Sequence, residues 1–464
     1  MDPLTTVKKP MSSTLSLQLA EFIERSCWAD LPTAVRHEAQ RALINYFAAA
    51  LAGCSDPDMA TATRLISRFS ALGPAHVVGR EGTLDMLGAA SLNAMSANVF
   101  DYDDTHMPTI LHPTAPVAAA LFAVAETRKV SGPQLLLAFA LGVEAECRLA
   151  MAISPEHYRR GWHITATCGV FGAAMAVGKL LGLTATQLRW ALGNASAQAS
   201  GLVETLGTAA KSMGVGNAAR NGLLSALLAQ DGFAGPDQPL EGEHGFLRVF
   251  GEQPRVDTIC AGWGEHWALM ANTYKPWPCG VVLNPVIEAC LALAHGRTWS
   301  LDDIARIELT GHPLLRQRTD RPGVREGRQS QVSAQHAVAV ALATGKAGLA
   351  EFSDAAVNDA RLRALHERVH FIDDDRYRVE AAQVQIHFHH REPLTHRVEA
   401  SLGSLGAPLS DRFLEDKLRE LAALGGSGCL PDPLIDAVWA LEHSSDAGAV
   451  MRLASHSFAG IHHG

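Results

Sequence analysis

The chain has 464 residues, 47% of them hydrophobic and 19% charged, a globular balance that excludes a wholly disordered protein. Aromatic residues make up only 6% and Ala and Gly abound, which predicts closely approaching helices rather than a β-sandwich. A net charge of −9 without a basic stripe argues against a nucleic-acid partner.

Residues 1–13 read as a flexible lead, with Lys8 and Lys9 but no apolar signal core behind them. From there to about residue 272 the text is helical. Pro32-Thr33 opens a segment running to Ala52 and closed by Gly53. Helices are predicted over 86–99, 113–128, 132–150, 165–181, 186–206 and 216–229, joined by short Gly-, Ser- and Pro-rich connections. The texture changes at Lys275-Pro-Trp-Pro-Cys-Gly280. Beyond it the spacing predicts helices over 285–294, 333–344 and 353–368 and strands over 304–309 and 384–388, with 370–372 and 395–400 as partners of the latter strand. Helix returns over 410–424 and 433–443. The reading is mainly α with an α+β insertion: a helical domain (14–272), an α+β lid domain (273–404), and C-terminal helices (405–464) that rejoin the first domain.

The eight cysteines are dispersed, with no C-x-x-C pair, which fits reduced thiols in the cytoplasm rather than a zinc ribbon. Apolar runs such as 115–125 and 135–143 are too short to span a membrane, so no membrane is expected.

Several polar stretches interrupt the apolar text. Between Asp101 and His112 fall three Asp, two Thr and two His. Asp101 and Thr105 would share a face if the preceding helix continued, and His112 precedes Pro113, a residue suited to the first helical turn. The bland alternative is a capped helix–helix loop. Gly161-Trp-His163 puts His163 at a helix start, where free N–H groups favour an anion. Lys211 lies in a Gly/Ser-bearing turn before a helix starting near Gly216, a cation beside a helix N-terminus or simply a solvated lysine. Lys275 enters a breaker-rich crossing suited to a cleft, or to an exposed linker. Ser333-Ala-Gln-His336 opens a helix. Arg148, in an apolar helix, needs an anion: Glu144 four residues back, or a ligand carboxylate.

Other chemistries find less support. Asp103-Asp104 hints at a Mg²⁺–diphosphate site, but position 107 is Met and no second acidic cluster follows. His387, His389 and His390 read as a polar strand edge rather than a metal site. Cys279 has no adjacent base, and no G-x-S-x-G occurs.

Taken in order, Asp101-Tyr-Asp-Asp-Thr-His…His112-Pro-Thr, Gly161-Trp-His163, Gly207-Thr…Lys211…Gly216-Asn-Ala-Ala, Tyr274-Lys275-Pro-Trp-Pro and Ser333-Ala-Gln-His336-Ala-Val-Ala resemble the MmgE/PrpD family, which includes 2-methylcitrate dehydratase, cis-aconitate decarboxylase and iminodisuccinate epimerase. The resemblance implies a helical domain with an α+β lid, a cleft between them, a homodimer, and no metal or organic cofactor. It implies a di- or tricarboxylate substrate and active-site positions at Asp101, Thr105, His112, His163, Lys211 and Lys275. In that frame His112 and His163 transfer protons. Asp101 holds an imidazole or orders the first turn, and Thr105 donates to a substrate oxygen. Lys211, Lys275, Arg148 and His336 bind substrate. Family decarboxylases carry a His shortly after the Lys275 position and a Tyr at the His336 position. This chain has Cys279 and Gly280 in the first region, and a Thr105–His112 spacing shorter than in bacterial methylcitrate dehydratases. The reading expected first is a dehydratase of a hydroxylated di- or tricarboxylate. An epimerase of a substituted succinate, a cis-aconitate decarboxylase and an inert polycarboxylate binder follow.

Overall fold

The computed structural model describes residues 14–455, so the expected lead over 1–13 and the last nine residues lie outside it. Two hydrophobic cores organise the chain. The first gathers side chains from Leu15 through Tyr274 and again from Leu409 through Ala454; the second gathers Cys279 through Val398. The fold is therefore mainly α, with an α+β unit inserted into a helical body.

The body is built on the helices Thr33–Gly53, Met86–Asn98, Thr114–Ala125, Gly132–Ile153, Ile164–Leu180 and Ala209–Gln230. They are apolar on nearly every face, as helices enclosed by other helices must be. Small residues set their spacing. A Cβ added at Gly222 would lie 2.6 Å from the Val170 carbonyl oxygen and from the Ala173 Cβ, so the Ala209–Gln230 helix seats directly on its neighbour. Two predicted bounds shift. The sixth predicted helix stops at Ser196 and gives way to irregular chain before a short turn at Val203–Thr205. The next starts at Ala209, so Lys211 sits in its first turn rather than in a turn preceding it.

The lid carries a four-stranded mixed sheet. Ile304–Gly311 pairs in parallel with Val369–Asp373 on one side and antiparallel with Ala382–Phe388 on the other, and Leu394–Val398 completes the sheet. The segment near 370 thus pairs with the first lid strand and not with the strand containing Val384, because the helical connection from 311 to 369 returns it as a parallel neighbour. Alternation in Ala382–Phe388 buries Val384 and Ile386 on the face that packs against the helix Asn284–Ala294, which in turn packs on Ala334–Thr344. The predicted helix over 353–368 breaks at Asn358 into Asp354–Val357 and Ala360–His366. His387 faces Glu308 on the adjacent strand at 3.1 Å, a cross-strand polar pair on the sheet.

Two features join lid and body. A short antiparallel ribbon pairs Asp104–His106 with Asn272–Tyr274, in the register Asp104 to Tyr274. The return crossing at Gly403 presses on the outgoing one: at φ +84, an added Cβ would lie 2.3 Å from the Tyr274 carbonyl oxygen and 2.9 Å from Pro276 Cδ. The helix Asp411–Gly425 then packs on Thr33–Gly53 in the body. The eight cysteines are all free, and no helix among the described residues is long and apolar enough to cross a membrane.

Candidate active site

The Met86–Asn98 helix ends where Asp101 adopts a left-handed conformation, φ 51, which Asp tolerates better than most residues. The helix does not continue, so Asp101 and Thr105 do not share a helical face. Instead the ribbon carries Thr105, and Asp101 turns inward at the end of the ribbon where Lys275 leaves the opposite strand. The Asp101 carboxylate accepts a hydrogen bond from Lys211 Nζ and lies 3.1 Å from Lys275 Nζ. Lys275 Nζ also donates to the Asp101 carbonyl at 2.8 Å. Burial disfavours the Asp101 charge, but the two ammonium groups outweigh it and hold the carboxyl well below its usual range.

His112 is buried just before the Thr114–Ala125 helix. Its Nδ1 lies 2.6 Å from the Asp104 carbonyl oxygen and 3.4 Å from Asp103 Oδ1. A carbonyl can only accept, so Nδ1 carries the proton and Nε2, 3.7 Å from Asp101 Oδ1, keeps its lone pair. Burial lowers the His112 pKa below 6.5; Asp103 opposes this, while Lys275 and Lys211 reinforce it. The His112 amide donates to Thr165 Oγ1 at 3.0 Å, which locks the loop to the Ile164–Leu180 helix.

His163 is the N-cap residue of that helix, but its ring makes no hydrogen bond to any described residue. Burial first, then Lys211 and His112, push its pKa down to about 3, so the free ring is neutral. Thr105 Oγ1 is likewise buried without a partner. A neutral imidazole and a hydroxyl, both unsatisfied, line the same cavity as Asp101, His112, Lys211 and Lys275. That cavity has a volume of about 270 Å³, the scale of a small organic ligand.

Asp103 accepts from Asn98 Nδ2 at 2.6 Å, and Asp104 accepts from Asn272 Nδ2 at 2.6 Å and from Thr114. Burial raises the Asp104 pKa to about 7. Asp104 is thus committed to the protein, whereas Asp103 Oδ1 makes no hydrogen bond and has His112 Nδ1 beside it at 3.4 Å. Oxygens of Asp101 and Asp103 and a nitrogen of His112 lie within 4.8 Å of one another. A cation there would first have to displace the lysine ammoniums from Asp101.

Two expected substrate-binding residues lie outside the cavity lining. Arg148 pairs with Glu144 and donates to the carbonyls of Ile259 at 3.0 Å, Ala261 at 2.6 Å and His266 at 2.8 Å. Its five donors staple the 259–266 loop to the Gly132–Ile153 helix, and none is left for a ligand. His336 is buried in the lid, with Nε2 2.8 Å from the Glu351 carbonyl and its ring against Phe352 and His366. Cys279 is also buried away from the cavity lining.

The lid wall holds residues that sequence reading missed: Arg318, Arg321, Arg328 and Gln331, facing Tyr158 of the body. Arg328 reaches Asp56 at 2.9 Å and Asp58 at 3.1 Å, and Gln331 Nε2 donates to the Phe100 carbonyl at 2.6 Å. The available signal was five arginines between 316 and 328. Lys417 was missed as well. Its buried Nζ donates to Asn45 Oδ1 at 2.8 Å and to the Tyr102 and Lys275 carbonyls at 2.9 Å each, and lies over the Tyr102 ring.

Histidines and lysines enclosed between a body and a lid mark the chain as an enzyme. The MmgE/PrpD N-terminal domain model matches residues 17–259 and the MmgE/PrpD C-terminal domain model matches 277–440, and the chain belongs to this family. It is 28% identical to the cis-aconitate decarboxylase of Aspergillus terreus, over 95% of this chain and 96% of that protein. It is also 28% identical to the human cis-aconitate decarboxylase, over 79% of this chain and 78% of that one. Identity to the cis-aconitate decarboxylase-like protein oryM of Aspergillus oryzae is 26%, over 97% and 99%.

Proposed function

We propose that the chain is a lyase that moves a proton at a carbon next to a carboxylate, with a polycarboxylate as substrate. The observation that carries this is the convergence of two neutral histidines on a pair of lysines that share one carboxylate. Proton loss beside a carboxylate concentrates negative charge, and fixed ammonium groups stabilise it at the transition state. His112 is the base, because its tautomer leaves Nε2 free and Asp103 stabilises the imidazolium once formed. Thr105 donates to a substrate oxygen. Burial is the main reason the free His163 ring is neutral; a bound polyanion opposes the Lys211 and His112 contributions and shifts the ring toward its protonated form, which suits it as the acid.

In a dehydration, the C–H pair becomes the C=C bond as the C–O bond breaks. His112 keeps the abstracted proton and His163 gives one to the departing hydroxide, so water and an alkene leave. This is the first reading. Decarboxylation of an unsaturated tricarboxylate is the second, favoured by the decarboxylase relatives. There the C–C bond pair stays on the substrate as CO₂ leaves, and a protonated histidine supplies the proton. A homodimer, as the family resemblance implies, would sediment at twice the 49.5 kDa of one chain.

Proton NMR in D₂O with 2-methylcitrate, citrate, cis-aconitate and iminodisuccinate tests the reading. Water loss marks the dehydratase, CO₂ loss the decarboxylase, and deuterium wash-in without net product the epimerase. Binding without any of these defines an inert family member and sinks the lyase proposal.

A further inference from the structure

We propose that Arg318 and Arg321 form a second carboxylate subsite in the lid, which makes the cavity select a ligand with three carboxylates over one with two. The proposal rests on the polycarboxylate reading above. The floor and roof of the cavity differ in how their charge is balanced. On the floor, Lys211 and Lys275 share the Asp101 carboxylate. On the roof, Arg328 is held by Asp56 and Asp58 and acts as a latch between lid and body. Arg318 and Arg321 line the same cavity, yet no described carboxylate lies within 4.0 Å of either guanidinium. Their neighbour Arg316, which is not in the lining, is paired with Asp373.

The Arg318 guanidinium is held in place without being neutralised, and Arg321 is fixed at its backbone. Arg318 is half-buried, and its guanidinium carbon lies 5.1 Å from the Tyr158 ring centroid. An aromatic face orients a guanidinium but brings no counter-charge. Arg321 is pinned through its backbone: its amide donates to Gln335 Oε1 at 3.1 Å and its carbonyl accepts from Ser333 Oγ at 2.8 Å. The Arg321 side chain stays exposed at the lid. A half-buried cation without a counter-ion is unfavourable until an anion arrives, and a planar fork matches a carboxylate in bidentate fashion. A dicarboxylate seated on the lysines leaves these forks unmet, whereas a third carboxylate reaching the lid satisfies them.

Binding of unreactive probes separates this idea from the reading beneath it. Tricarballylate and glutarate share a five-carbon backbone and differ by one carboxylate, and calorimetry measures both. The wild-type chain is expected to bind tricarballylate at least about tenfold more tightly. The double variant R318Q/R321Q should lose about 10- to 100-fold for tricarballylate and less than about threefold for glutarate. The single variant R321Q alters only an exposed side chain; if the double variant melts early, R321Q carries the test, with an expected loss of about fivefold for tricarballylate alone. Equal losses for the two probes, no loss, or a wild-type chain without preference overturns the lid subsite while leaving the lyase reading intact. A wild-type chain that binds neither probe overturns both.

Discussion

Asp101 faces three cationic or proton-accepting groups, so its charge sets the balance of the cavity floor. Asp101→Asn frees both lysines and strips the field from His112. We expect turnover to fall about 100-fold or more, read as kcat in the NMR assay. His163→Ala should abolish turnover with an unchanged melting curve, since the ring makes no hydrogen bond to any described residue. The pH profile follows from His112. Its pKa is below 6.5 and in the proposed mechanism it acts unprotonated while His163 acts protonated, so kcat should show no acid limb above pH 6.5, and kcat/KM should fall toward alkaline pH as the protonated His163 is lost. An acid limb above 6.5 would assign the base elsewhere. At this scale the polar residues were legible where they broke apolar text, as at Asp101, His112, His163 and Lys275. Arg148 misled because an i, i+4 acid and a ligand carboxylate look alike until the loop carbonyls around it are seen.

Elements turn these residues into a constellation. The ribbon of three residues per strand brings Asp101 and Lys275 together across 174 positions of sequence. Its strands are too short to show alternation, so in sequence one reads as a polar stretch between two helices and the other as a breaker-rich crossing. The large helices were legible because their apolar runs end at Gly, Pro and Ser. The arginine-rich turn after Pro313–Thr319 was not, because irregular chain has no period to read. Arg148→Met should destabilise the chain by about 3–5 kcal/mol, by stranding Glu144, and leave KM unchanged. In the lid, burial depresses the His336 pKa to about 4. Its folded value lies below its unfolded one, so its contribution to stability is complete above pH 6.5 and fades as pH falls toward 4. The stability gap between wild type and His336→Phe, measured by urea melts, should therefore narrow by up to ~1.4 kcal/mol per pH unit across that window.

For the whole molecule, the body is closed by both ends of the described chain. Leu414, Leu418 and Leu421 belong to the first core, and Lys417 binds carbonyls beside two cavity residues. A chain ending at residue 404 should lose the body's cooperative melt while the lid's core stays complete, measurable by near-ultraviolet circular dichroism. Lys417→Met tests the same link more gently. A drop in kcat without a change in glutarate affinity is expected, because the lysine holds the backbones of Tyr102 and Lys275 and touches no ligand. The mainly α fold with an α+β unit was legible from the change in texture near residue 274, and the lid's part of the cavity wall was not, because it depends on which irregular segments meet in space.

Gly403 gives this arrangement an unexpected vulnerability. The lone methyl of an alanine there would collide with the strand that delivers Lys275, although position 403 lies 128 residues downstream of it. Saturation mutagenesis scored only by survival of function should therefore flag 403 as sharply as the histidines. A search for inhibitors or for altered specificity gains a remote handle: wedging the return crossing would misalign the chemistry without occupying the chamber where it happens.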